Sequence, residues 1–164
     1  MADEKGIDRT LIDICKAFNS EGVSYVLIGG WAVIIHGFPR LTNDIDFLVD
    51  SSEENISKIK HALNKVFNDK SIDEIRLSDA ADYSVIRYIS PDGVTVDLMA
   101  KIGEVADYKR VREHIVIFEI FGNEIPVLDA ETLITLKDTI RDKDKIDLAF
   151  LKEKVKKKKT NNKS

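Results

Sequence analysis

The sequence predicts a mixed α/β (α+β) domain, with a partly antiparallel β-sheet flanked by helices. Three observations predict it. Helical stripes alternate with strand-like runs rich in β-branched and aromatic residues through the first half. Two later pairs of strand patterns close on turn signals, Pro91-Asp92-Gly93 and Gly122-Asn123, as hairpins do. A chain of 164 residues, 43% apolar and 33% charged, can bury one core and is too short for two comfortable ones.

The elements follow in order. Leu11, Ile14, Cys15 and Phe18 fall at i, i+3, i+4 and i+7, which predicts a helix over residues 8–20. Cys15 on that stripe reads as core. "VSYVLI", 23–28, is a strand that Gly29-Gly30 breaks. "WAVIIHG" is a short helix ended by Gly37 and Pro39, and "DIDFLVD", 44–50, is a second strand. Ser52-Glu53-Glu54 opens a helix to about Asn68, with Ile56, Ile59, Leu63 and Phe67 on one face. Strands over 82–90 and 94–99 form the first hairpin, a short helix over 104–112 follows, and 114–128 is the second hairpin. Asp129 caps a helix beginning "AETLITLKDTIR", and "KDKIDLAFLKEKV" is the last. There is no internal repeat. Residues 1–151 read as one domain and 152–164 as a basic, flexible tail.

Composition excludes several classes. The longest apolar-leaning run, residues 23–38, is 16 residues broken by a Gly pair and a His, too short to span a bilayer. "MADEKGIDRT" lacks the apolar core of a signal peptide, and lone Cys15 cannot form an internal disulfide. A cytoplasmic protein with no membrane partner is expected. Residues 152–164 hold seven Lys and one Glu, a balance of +6; the whole chain is −4, so 1–151 carry −10. An acidic body disfavours broad nucleic-acid binding, while the Lys tail could still hold RNA by phosphate attraction.

The chemistry concentrates in two strands. Side chains alternate with period two, so Asp44 and Asp46 share one face while Ile45, Phe47 and Val49 share the other. The two Cα atoms are about 7 Å apart, at roughly 3.4 Å per residue. Carboxylates held that close repel unless a cation sits between them, and a hard oxygen-liganded ion such as Mg²⁺ fits. In "GVTVDLM", Asp97 is a lone acid opposite in face to Val94, Val96 and Leu98, and a carboxylate in an apolar strand needs a partner. Were this strand to lie beside 44–50, Asp97 would complete a triad of the kind that holds two divalent ions for phosphoryl transfer. The strand, Gly29-Gly30 and short-helix sequence adds a place where backbone can approach a phosphate closely.

Gly29-Gly30, thirteen intervening residues, Asp44-Ile45-Asp46 and a later strand carrying Asp97 resemble the nucleotidyltransferase pattern of the DNA polymerase beta superfamily. "GGWAVIIHGFPRLTNDIDFLV" is most similar to the AbiEii-type abortive-infection branch of minimal nucleotidyltransferases, and "ETLITLKDTIRDKDKIDLAFL" resembles that branch's C-terminal segment. The resemblance spans roughly residues 22–151 and implies the nucleotidyltransferase fold. It implies that Asp44, Asp46 and Asp97 are catalytic metal ligands, with Asp44 and Asp46 on both Mg²⁺ ions and Asp97 on one, where it also helps deprotonate the attacking hydroxyl. Gly29 and Gly30 would hold the triphosphate of an NTP, Arg40 and Thr42 would brace the site, and Lys137 and Arg141 would reach the phosphates. Many relatives carry Gly-Ser where this chain has Gly29-Gly30, so only backbone donors remain at Gly30.

By themselves some of these residues read more plainly. His36 reads as a hydrogen-bonded structural histidine and Trp31 as core. Arg40 reads equally as a site brace or an ion pair, and Lys137 and Arg141, i and i+4, suit a solvated helix face as well as a phosphate site. The expected activity is NMP transfer from an NTP to a hydroxyl on tRNA, a protein or a small molecule, in a toxin–antitoxin or phage-defence setting. The partners expected are the NTP, a tRNA or protein acceptor, and a second copy of the chain (a homodimer) or a small partner protein. The alternative is a non-catalytic nucleotide-binding or antitoxin-like partner that keeps the fold.

Overall fold

Local signals set the first helix, α1 (Arg9–Glu21): the Asp8 carboxylate accepts the Thr10 N–H at 2.8 Å, and Gly22, at φ 73°, closes the far end. Its stripe of Leu11, Ile14, Cys15 and Phe18 is fully buried. The computed structural model describes residues 7–76, 85–102, 106–137 and 150–158. After α1 come β1 (Tyr25–Ile28), α2 (Gly29–Ile35), β2 (Asp44–Val49) and α3 (Glu53–Phe67). A 3₁₀ turn (Lys70–Glu74) leads towards β3 (Val85–Ile89), followed by β4 (Thr95–Met99), β5 (Lys101–Ile102) and β6 (Ala106–Asp107). Then α4 (Tyr108–Val111), a 3₁₀ turn (Arg112–His114), β7 (Ile115–Ile120), β8 (Asn123–Leu128) and α5 (Ala130–Lys137) follow, and residues 150–158 form helix α6.

Six strands make one mixed sheet in the order β3-β4-β2-β1-β8-β7. Both expected hairpins are present: β3 pairs with β4 and β7 with β8, antiparallel. β1 and β2 are antiparallel, whereas β2–β4 and β1–β8 are parallel. Residues 82–84 of the expected first-hairpin strand and residues 143–149 of the expected last helix lie outside the described residues. Residues 104–105 of the expected helix over 104–112 lie outside the described residues, and over the rest the helix is shorter. Ala106–Asp107 pair as a strand with Lys101–Ile102, and Asp107 caps α4 by accepting the Arg110 N–H at 2.9 Å, so the helix starts only after it.

The two faces of the sheet differ. One packs against α1 and α3, where Phe18, Tyr25 and Phe47 meet edge-on or tilted at 4.8–5.5 Å between ring centroids. Between β1 and α3, buried Asn55 acts as a bracket: its amide accepts from Ser24 N–H and donates to the carbonyls of Ser24 and Asp50. The opposite face carries α2 and the acidic residues of β2 and β4. No helix among the described residues is long and apolar enough to cross a membrane.

α6 lies on the segment expected as the start of the tail. Leu151 is fully buried, Phe150 stacks on Phe38 at 4.8 Å, and Lys154 is half-buried against His36. Residues 159–164 lie outside the described residues.

Candidate active site

The site is built where β1 ends and β2 and β4 run side by side. Asp46 stands opposite Asp97 in the parallel register, and Asp44 stands opposite Thr95. Period two then sets Asp44, Asp46 and Asp97 on one sheet face, as the strand patterns predict. Asp44 and Asp46 are half-buried and Asp97 is buried.

Gly29 makes the close approach possible. It lies at φ 72°, and a side chain there would run into the Asp46 carboxylate, with Asp46 Cβ only 3.0 Å from the position of an added Cβ. Gly30 is also confined, though less tightly. A Cβ there would meet Thr42 Oγ1 at 2.9 Å and Thr42 Cβ at 3.0 Å, with the Arg40 guanidinium carbon at 3.5 Å. Thr42 in turn donates to the Asp44 carbonyl at 3.3 Å. The loop before β2 is therefore folded back against the glycine pair, and it brings Arg40 and Thr42 to the acids' flank. The Gly30-for-Ser departure has a local reason, because any side chain at this position competes with Thr42 for space.

Arg87, which the sequence reading did not single out, completes the group. It faces Asp97 across the β3–β4 hairpin. Its Nε donates to Asp97 Oδ1 at 2.8 Å and its Nη2 to Asp97 Oδ2 at 3.0 Å, a two-pronged pair. The same Nη2 is 3.8 Å from Asp44 Oδ2. The hydrogen bonds to Asp97 push the guanidinium pKa up, and the charges of Asp97, Asp44 and Asp46 act in the same direction. A signal for Arg87 was present: Arg87 and Asp97 are each five positions from Asp92, the middle of the turn, so the hairpin had to bring them opposite each other.

Three carboxylates suit a hard divalent ion in chemistry and in register. Among the described residues, however, no three ligating side chains stand in an ion-holding cluster as the site is arranged. The cation that engages Asp97 and approaches Asp44 is the guanidinium of Arg87. Of the other expected phosphate contacts, Lys137 is on α5, the last of its residues described, and Arg141 lies outside the described residues.

His36 and Trp31 have the plain roles their patterns suggest. Trp31 is buried in the core. His36 Nε2 is 2.8 Å from the Leu128 carbonyl, which can only accept, so Nε2 carries the proton and Nδ1 is free to accept from Lys154 Nζ at 2.6 Å. Lys154 also donates to the His36 carbonyl at 2.7 Å. Burial pushes the imidazole down to about 4 despite the Leu128 carbonyl, and burial, aided by Lys158, lowers Lys154 to about 8. This knot ties the end of α2 to β8 and α6.

The fold is that of nucleotidyltransferases. A candidate nucleotidyltransferase from Thermotoga maritima superposes with a TM-score of 0.52 at 20% identity, covering 95% of this chain and 92% of that one. The lincosamide antibiotic adenylyltransferase LnuA, solved with lincomycin bound, gives 0.54 at 14% identity over 89% and 96%. An antigenic nucleotidyltransferase-like protein from Paracoccidioides brasiliensis gives 0.52 at 18% over 87% and 73%. No curated protein matches the chain in sequence. The profile of the family described as nucleotidyl transferase AbiEii toxin, type IV toxin–antitoxin system, matches residues 14–157. The chain belongs to that family, and it is a nucleotidyltransferase.

Proposed function

We propose that this nucleotidyltransferase is Mg²⁺-dependent, moves an NMP from an NTP onto a hydroxyl of RNA, protein or a small molecule, and acts in the cytoplasm as the toxin of a toxin–antitoxin pair. One observation carries the reading: Asp46 stands opposite Asp97 on paired strands, with Asp44 on the same face and Gly29 against Asp46. Asp44 and Asp46 would hold two ions and Asp97 one of them. Bound there, Mg²⁺ would supply Lewis-acid stabilisation of the charge that builds on the attacking and leaving oxygens. The backbone at Gly29 and Gly30 receives the triphosphate, and Arg40 and Thr42 keep the loop against it. Lys137 and Arg141 are assigned to the outer phosphates. The acceptor oxygen attacks the α-phosphorus, its proton passes to Asp97, and the bond to the pyrophosphate oxygen breaks.

The test is transfer from α-labelled NTPs, one base at a time, with Mg²⁺ and either total tRNA, lysate protein or a small-molecule extract. Label should appear in one acceptor arm. Asp46→Asn, which keeps the side chain's shape, should lower transfer by at least about 100-fold, because even outer-sphere partners of metal ligands are worth 10–100-fold. An Asp46→Asn protein as active as wild type overturns the metal assignment. Label in no arm, with all four NTPs, overturns the proposed acceptor classes.

A further inference from the structure

We propose that Arg87 is a built-in counter-cation of the Asp44–Asp46–Asp97 group, which must leave Asp97 before a divalent ion is held and which moves to the incoming triphosphate as it does so. The proposal rests on the nucleotidyltransferase reading above and adds the order in which its ligands load.

Both oxygens of Asp97 accept from Arg87, so a metal ion and the guanidinium compete for the same lone pairs. The same side chain stands 3.8 Å from Asp44, so its departure frees two carboxylates at once. The pairing is needed while no ion is held. The Asp97 side chain is only 6% exposed within an apolar strand, where an unpaired carboxylate is costly. The pairing is also releasable, because Arg87 is on β3, an edge strand, and its side chain is 57% exposed. Water and ligands reach the guanidinium without the core opening. A triphosphate offers it paired oxygens in the fork geometry that Asp97 offers, with more negative charge. Once the ion neutralises the carboxylates, the balance for Arg87 shifts from Asp97 to phosphate. Coupling of this kind is reciprocal: triphosphate tightens the ion's binding by the factor by which the ion tightens triphosphate.

The experiment compares full-length wild type, Arg87→Gln and Arg87→Lys in two measurements. The first is Mn²⁺ affinity without nucleotide, from the electron-paramagnetic-resonance signal of free Mn²⁺. The second is affinity for α,β-methylene nucleoside triphosphates of all four bases with saturating Mn²⁺ present, by calorimetry. Arg87→Gln should bind Mn²⁺ about ten-fold more tightly than wild type and triphosphate about ten-fold more weakly, within the range of ordinary site coupling. Arg87→Lys, which keeps the charge and loses the fork, should fall between the two and guards against misfolding of the neutral variant. Mn²⁺ binding that is unchanged or weaker in both variants makes Arg87 a fixed brace and overturns the proposal alone. Absence of Mn²⁺ binding in all three proteins overturns the metal-site reading itself, and Arg87's role with it. Unchanged triphosphate affinity in both variants overturns the transfer of Arg87 to phosphate.

Discussion

At the scale of single residues, the site depends on two atoms that are missing. Gly29 has no Cβ, and the Asp46 carboxylate uses that space; Gly30 has none, and Thr42 uses it. Gly29 also holds φ 72°, which costs an L side chain roughly 1–2 kcal/mol before any clash. Gly29→Ala should therefore lower the melting temperature by at least about 2–4 °C, from about 1 kcal/mol or more in a domain of this size, and displace Asp46. A variant that melts with wild type would show that the left-handed turn is not needed. The charged residues follow the same logic of company. Asp97 tolerates burial because Arg87 meets both its oxygens, so a variant of either residue is felt by the other.

At the scale of elements, α2 is a short helix held at both ends. Its start abuts the acids, and its end is tied through His36 to Leu128 of β8 and Lys154 of α6. That tie carries a pH dependence whose sign can be worked out. The folded imidazole titrates near 4 and an unfolded one near 6.5, so between those values the unfolded chain binds more protons. Stability is fully present above pH 6.5 and falls as pH drops towards 4. Between pH 6.5 and 5 this one group accounts for at most about 2 kcal/mol. Melts of wild type should lose several degrees across that interval, ahead of most carboxylate titration. His36→Gln keeps a donor for Leu128 without titrating and should show a flatter profile. An identical slope in both proteins would remove His36 from the account.

At the scale of the whole molecule, the sheet order makes β2 a central strand with antiparallel β1 on one side and parallel β4 on the other. The acids are thus rooted in strands paired on both sides, while Arg87 comes from an edge strand. α6 closes the molecule by inserting Leu151 into the core. Leu151→Ala should cost about 2–5 kcal/mol, read as a melting temperature lower by at least about 4 °C. A smaller change would show that α6 is only loosely seated. The same packing bears on whether the lysines hold RNA. Truncation after Leu151 would remove Lys154 from His36 together with the exposed positive charge. Substituting exposed Lys157 and Lys158 separates the two effects.

The sequence by itself determined the elements that rest on local physics. The period-two placement of Asp44 and Asp46, the capped helices and both hairpins follow from neighbours in the chain, and so does the family motif. His36 and Trp31 were legible as structural residues from their apolar surroundings. The extent of the helix before β7 was not, because the pairing of Ala106–Asp107 with Lys101–Ile102 competes with it. Only the tertiary structure decided that β4 lies parallel beside β2 with Asp97 opposite Asp46, since strand order reflects the packing of whole faces and not local preference. It alone also decided what each glycine makes room for, that Lys154 leaves the basic run to meet His36, and that Arg87 closes on the acids. Each of these joins residues far apart in the chain, and their energies arise from burial and charge that exist only once the sheet has formed.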